Sequence, residues 1–160
     1  MLPLEKRIAH IEDQLAIYQI ISGYGPSADS GSTQSTVDQW SEDGAYVVDG
    51  VGEFRGHAAL ESLFEGELHQ GYIHQGSAHV NSLPHVVLDG DRAIATNYQH
   101  LYIWEGAGAR VVRSVATRWE FERRENGWKV VVRANALLDG REAGRTLLGR
   151  ASEVSPTPAR

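Results

Sequence analysis

Two dipeptides, Asp89-Gly90 and Asn126-Gly127, stand between runs of β-branched and aromatic residues and decide what the second half of the chain can become. Pairs of this kind favour tight hairpin turns with positive φ, whose twist matches that of the flanking antiparallel strands. The runs around them, roughly 79–88, 92–104, 111–123 and 128–137, therefore predict an antiparallel meander of long strands. A meander with an apolar face is not stable alone in water and needs a second layer over that face.

The first half supplies the layer. Leu4, Ile8, Ile11, Leu15 and Tyr18 recur at helical spacing with Glu5, Lys6, Glu12 and Asp13 between them, which predicts an amphipathic helix to about Gly23. The stretch GYGPSADSGST that follows is rich in Gly, Pro and Ser and reads as a loop, then a short helix runs through Val37 and Trp40. Ala45–Val48 and Glu53–Arg55 read as short strands around Asp49-Gly50, and Gly56 leads into a helix carrying Leu60, Leu63, Phe64 and Leu68. The expected fold class is α+β, a curved antiparallel sheet packed on N-terminal helices around a pocket. With 160 residues the chain suits one domain, expected over 1–140, with a polar tail over 141–160. The tail ends EVSPTPAR and is expected to fray or to dock on a neighbour, the segment around Leu147 and Leu148 included.

Composition narrows the function. The formal net charge is −6, and the densest basic cluster (Arg110, Arg113, Arg118, Arg123, Arg124) lies on a strand whose alternation divides it between two faces. A phosphate backbone would be repelled, so no nucleic-acid partner is expected. There is no cysteine, hence no disulfide and no thiolate metal site, and nothing calls for an oxidising compartment. Charges interrupt the N-terminal apolar residues every few positions, unlike a signal peptide or a membrane span. A cytoplasmic protein without a membrane partner is the expectation.

None of the seven histidines falls in a metal-ligand spacing such as HExxH, so no metal site is expected. His10, His57 and His69 are placed on exposed helix faces. His79 opens the first long strand, sharing a face with Asn81 and Leu83, and an isolated strand histidine is ordinarily a packed, hydrogen-bonded structural residue. Asp29, in the loop after the first helix, reads as an N-cap or Asx-turn residue unless it meets a partner. A carboxylate on one imidazole nitrogen would fix the tautomer and leave the other nitrogen to accept a proton. Arg133 on the last strand either reaches solvent or faces the cavity as a fixed cation, which then requires an anion. On strand 92–104, Tyr98, His100, Tyr102 and Trp104 share one face, a dry aromatic core or a pocket wall.

Together these segments resemble the SnoaL-like branch of the NTF2-like superfamily, from about Leu4 to Leu138. LEKRIAHIEDQLAIYQIISGYGPSAD is similar to the family's first helix and following aspartate, WSEDGAYVVDG and FRGHAALESLF to its helix-to-strand passage and Gly-led helix. HVNSLPHVVLDGDRAIA resembles its histidine-led strand, and WEFERRENGWKVVVRANA its last two strands. The resemblance implies an NTF2-like cone and, in the dehydratase and dehydrochlorinase members, an Asp–His dyad matched by Asp29 and His79. It also matches a final-strand arginine, five residues after a tryptophan, with Arg133 after Trp128, and a tyrosine five residues before the aspartate with Tyr24. A middle-strand acidic residue of the bile-acid dehydratases is replaced by Tyr102. The implied activity is a lyase reaction without cofactor: His79 takes a proton, and Arg133 and Tyr24 stabilise or protonate a departing water, halide or one-carbon unit. Tyr46, Phe64, His100, Tyr102 and Thr117 are the candidate substrate-binding residues, and the aromatic content points to a small, largely apolar or aryl substrate. The alternatives are an isomerase or cyclase using the same base, or a non-catalytic ligand-binding module. Participation of His85 or His100 in catalysis stays open. Apolar residues on both faces of the sheet (Ile94, Leu101, Ile103, Val112, Val115, Ala116 and Phe121) predict a homo-oligomer, a trimer ahead of a dimer.

Overall fold

A long helix, α1 (Leu4–Asp29), opens a chain whose strands then assemble into one sheet; the structure is a computed structural model that describes residues 3–150 and Glu153. After α1 come α2 (Thr33–Val37), β1 (Trp40–Val48), β2 (Gly52–Arg55), α3 (His57–Glu65) and α4 (Glu67–Gln75). The meander follows as β3 (Ser77–Asn81), β4 (His85–Asp89), β5 (Arg92–Glu105), β6 (Gly108–Arg124) and β7 (Gly127–Leu137), and α5 (Glu142–Gly149) ends it. Gly90 and Gly127 take positive φ (59° and 96°), as the turn dipeptides demand. The first expected long strand, 79–88, is broken at Ser82–Pro84 into β3 and β4, both antiparallel to β5. The sheet order is β2-β1-β7-β6-β5-β3, with β4 also on β5 and β1 running parallel to β7. This is the α+β architecture expected: the N-terminal helices lie against one face of an open, curved, largely antiparallel sheet.

The inner face of that sheet carries the core. Trp119, Phe121, Ala93, Ala95, Trp128 and Val130 meet Ile17, Ile21, Tyr24 and Ala28 of α1 and Leu60 and Phe64 of α3. Alternation puts the odd-numbered residues 93–101 of β5 and 113–121 of β6 on this side. The outer face is covered in part by α5, which packs on β6 and β7. Arg118, 3% exposed, donates from that face to the Arg150 carbonyl (2.6 Å) and to the Glu153 carbonyl.

Four expectations are corrected here. The apolar set Leu4, Ile8, Ile11 and Leu15 points to solvent, and α1 buries Ile17, Ile21, Tyr24, Gly25 and Ala28 instead. The helix does not end at Gly23 but continues through Pro26 to Asp29, because the burial of Tyr24 and Ala28 against the sheet outweighs the loss of one amide donor. Of the apolar residues expected to leave part of the sheet wet in a single chain, Ile94, Leu101, Ile103, Val115, Ala116 and Phe121 are each at most 2% exposed. The segment around Leu147 and Leu148 is helical and lies on this chain's own sheet. Most of EVSPTPAR falls outside the described residues.

Candidate active site

The site begins with a glycine. A Cβ on Gly25 would collide with the carbonyl oxygen of His79, so glycine lets the last turns of α1 lie directly against β3. That contact carries the carboxylate of Asp29 onto His79. Asp29 Oδ1 accepts from His79 Nδ1 and from Ser77 Oγ, each at 2.7 Å, and Oδ2 accepts from the His79 backbone amide at 2.6 Å. Burial pushes the carboxyl upward, but these hydrogen bonds prevail and hold it below the ordinary carboxylate value. A buried amide ladder keeps β3 in place: Asn81 donates to the Ile21 carbonyl of α1 and accepts from Asn97, whose own oxygen accepts from Trp119 Nε1.

Because a carboxylate only accepts, Nδ1 of His79 carries the proton and Nε2 of the neutral ring is bare. Among the described residues Nε2 has no hydrogen-bond partner. His79 stands in the wall of a cavity of about 70 Å³ shared with Tyr24, Tyr46, Phe64, His69 and Arg113, and with the apolar Val48, Val51, Leu63 and Leu68. A wider, open depression of about 600 Å³ near Asp38, Glu42, His57 and Lys129 is polar and holds none of the sequence candidates.

Arg133 is fully buried behind the cavity wall. Its guanidinium carbon sits 3.8 Å from the ring centroid of Tyr24 and 4.4 Å from those of Tyr46 and Trp119. None of its three nitrogens meets a hydrogen-bond partner among the described residues, and three aromatic faces pack against the charge. Of the two readings left open by the sequence, solvent or interior, it takes the interior. Tyr24 lies edge-on to His79, with centroids 6.1 Å apart, and burial drives its phenol well above the ordinary value despite the nearby Arg133. It is a fixed donor rather than a base. Tyr46 accepts from Asn135 Nδ2 at 2.7 Å, which leaves its own proton free to donate.

The remaining candidates separate by sheet face. Phe64 lines the cavity. Thr117 is buried on the inner face beyond it, its hydroxyl without a partner among the described residues. His100 and Tyr102 are not brought to the cavity: with even numbers on β5 they face outward, where His100 Nδ1 contacts Ser114 Oγ at 2.8 Å. His85 is exposed on β4.

Two basic side chains at the cavity, His69 and Arg113, were not anticipated there. His69, expected on an exposed helix face, turns inward because the helix breaks at Gly66 (ψ 151°) and α4 starts on a new axis. It stacks on His79 with centroids 5.9 Å apart. Its Nδ1 donates to the Phe64 carbonyl at 2.9 Å, so the buried Nε2 is an unpaired acceptor. Burial and the neighbouring His79 hold this imidazole below its ordinary value, hence neutral at pH 7. Arg113 shares the inner face with Val115, Thr117 and Trp119; the position of Gly66 and the period-two alternation from Trp119 were the signals that could have located these two. No group of three or more His, Cys, Asp or Glu side chains that could hold a metal occurs among the described residues. No helix among them is long and apolar enough to cross a membrane.

Comparison with known proteins gives the family of the domain. The family profile described as SnoaL-like domain matches residues 9–134. A crystal structure of an NTF2-like protein with a cystatin-like fold from Novosphingobium aromaticivorans shares 37% identity, with a TM-score of 0.89 over 91% of this chain and 94% of that one. A putative aromatic ring hydroxylase from the same organism matches at 24% identity and a TM-score of 0.67, over 80% of this chain and 90% of that one. A function-unknown protein from Mycobacterium tuberculosis matches at 18% and 0.71, over 94% and 91%; these last two are similar in fold alone. No protein of curated function matches the sequence.

Proposed function

This chain belongs to the family of SnoaL-like domains, and on that premise we propose that it is a lyase acting without a cofactor on a small, largely apolar molecule. The observation that carries the reading is the Asp29–His79 pair: Nδ1 is tied to a carboxylate and Nε2 is left bare at a cavity wall. His79 Nε2 takes a proton from the carbon next to the one bearing the leaving group. The electrons of that C–H bond form the second bond between the two carbons. The bond to the leaving group breaks with its electrons on that group, and His79 later returns its proton to solvent.

The departing group leaves as hydroxide, halide or a one-carbon anion that accepts a hydrogen bond from Tyr24; hydroxide becomes water by taking up one proton, which balances the proton that His79 removed. The raised phenol makes hydrogen-bond donation, not proton release, the role of Tyr24. The Arg133 charge against the Tyr24 ring face strengthens that donor. A positioned base of this kind contributes on the order of 10²- to 10⁴-fold in rate.

The test is a panel of hydroxylated, halogenated and aryl compounds followed by mass spectrometry, with wild type beside His79→Ala. The expected result is a product lighter by the leaving group, and loss of at least about a hundredfold in kcat in a folded variant. A product of unchanged mass would replace elimination by isomerisation or ring closure. Binding across the panel without any product would make the domain a ligand-binding module.

A further inference from the structure

Most arginines of this protein are matched by carboxylates. Arg55 pairs with Glu53, Arg110 with Glu105, Arg118 with Glu120, Arg123 with Asp13 and Asp91, Arg124 with Glu122, and Arg141 with Asp49 and Asp139. In a chain with an excess of acidic residues, that is the expected surface pattern. Away from the exposed helix arginines Arg7 and Arg145, which also lack a carboxylate partner among the described residues, Arg113 and Arg133 depart from it together. Neither has an ion pair or a hydrogen bond within the described residues, and both stand at the cavity: Arg113 in its wall, Arg133 behind Tyr24 and Tyr46.

The two are not equivalent. Arg133 is enclosed by three aromatic faces and cannot approach a ligand without displacing them. Arg113 is half-buried in the wall itself, and its Nε is buried without an acceptor. The carboxylate behind His79, Asp29, already accepts from His79 and Ser77 and is committed to the dyad, and no carboxylate lines the cavity itself among the described residues. The region therefore holds two guanidinium charges against one carboxylate, beside side chains that are otherwise apolar or aromatic. A desolvated guanidinium without an anion is unfavourable, and a ligand that supplies one gains a charge-assisted, often bidentate hydrogen bond.

We propose that Arg113 is an anion-binding residue and that the pocket takes organic acids, an apolar or aryl body carrying a carboxylate whose oxygens pair with the Arg113 guanidinium. The body lies against Val48, Leu63, Phe64 and Leu68, and the carboxylate completes the charge balance of the wall. The proposal rests on the reading of this cavity as the substrate site but not on elimination as its chemistry.

Binding distinguishes the two. Benzoate, phenylacetate, cinnamate and salicylate are titrated against wild type by calorimetry beside their carboxamides, which keep size and shape and remove the charge. At least one carboxylate is expected to bind about tenfold or more tightly than its amide. Arg113→Gln is expected to remove that preference by weakening the carboxylate far more than the amide, and Arg113→Lys to retain part of it; an unchanged circular dichroism spectrum certifies each fold. Equal affinity of acid and amide in wild type, failure of every carboxylate to bind, or equal loss of both ligands in a folded Arg113→Gln overturns the proposal. Carboxylate binding without turnover of any acid would leave it standing and sink the lyase reading, and turnover confined to uncharged substrates would do the reverse.

Discussion

Asp29 accepts hydrogen bonds from Ser77 and from both the ring and the amide of His79, so its charge is part of the stability of the fold as well as of the site. Its folded-state value lies below the ordinary 3.8, which sets the sign of the linkage. The stabilisation is complete above the unfolded value and is lost as pH falls through the lower folded one. Asp29→Asn is therefore expected to melt well below wild type at pH 7, with the gap narrowing steadily below about pH 4. A gap in Tm that stays constant from pH 7 to pH 3 would refute this account. The residue types at positions 29 and 79 and their spacing to Tyr24 and Arg133 were legible in the sequence; the contact was not, because it depends on the missing Cβ of Gly25. His100 and Tyr102 show the limit of strand alternation. It groups them correctly with Tyr98 and Trp104, but the inward face is chosen by the packing of Ala93, Ala95 and Leu101.

Among elements, α1 shows why local signals misplace a boundary. Gly23, Gly25 and Pro26 all argue for a loop, yet tertiary burial of Tyr24 and Ala28 carries the helix to the residue that the site needs. The polar composition after Gly140 likewise reads as a tail, while an anchor for α5 sits on another element: the buried guanidinium of Arg118 on β6 holds the carbonyls of Arg150 and Glu153, just beyond the end of α5. Arg118→Met keeps the aliphatic stem and deletes that anchor. Its expected effect is a loss of about 1–3 kcal/mol in stability and faster amide exchange over α5, with ligand affinity unchanged. Unaltered exchange across 142–149 would mean that α5 is held by its apolar contacts alone.

For the whole molecule, the surface left over after folding differs from the one the sequence pointed to. Leu4, Ile8, Ile11 and Leu15 form an exposed stripe on α1, and Val80, Tyr98, Trp104 and Val111 are exposed on the outer sheet face. Exposed apolar surface of this kind marks association, and a homo-oligomer through the sheet face is expected, a trimer ahead of a dimer. Light scattering at micromolar concentration should give a multiple of 17.6 kDa, and Tyr98→Glu should lower it. A mass of one chain for wild type would refute the assembly. The order of the strands has a consequence for how such a molecule comes into being. β1 lies beside β7, and the hydrogen bond between Tyr46 and Asn135 joins positions 89 residues apart. Contacts of that separation are among the slowest to form, since a long loop must close before they repay its entropy. The tyrosine and arginine on those two strands meet only when the last strand docks, so a nascent chain released before Gly127 has α1 to α4 complete and still no pocket, and ligand-binding capacity should appear during refolding in step with the slowest phase.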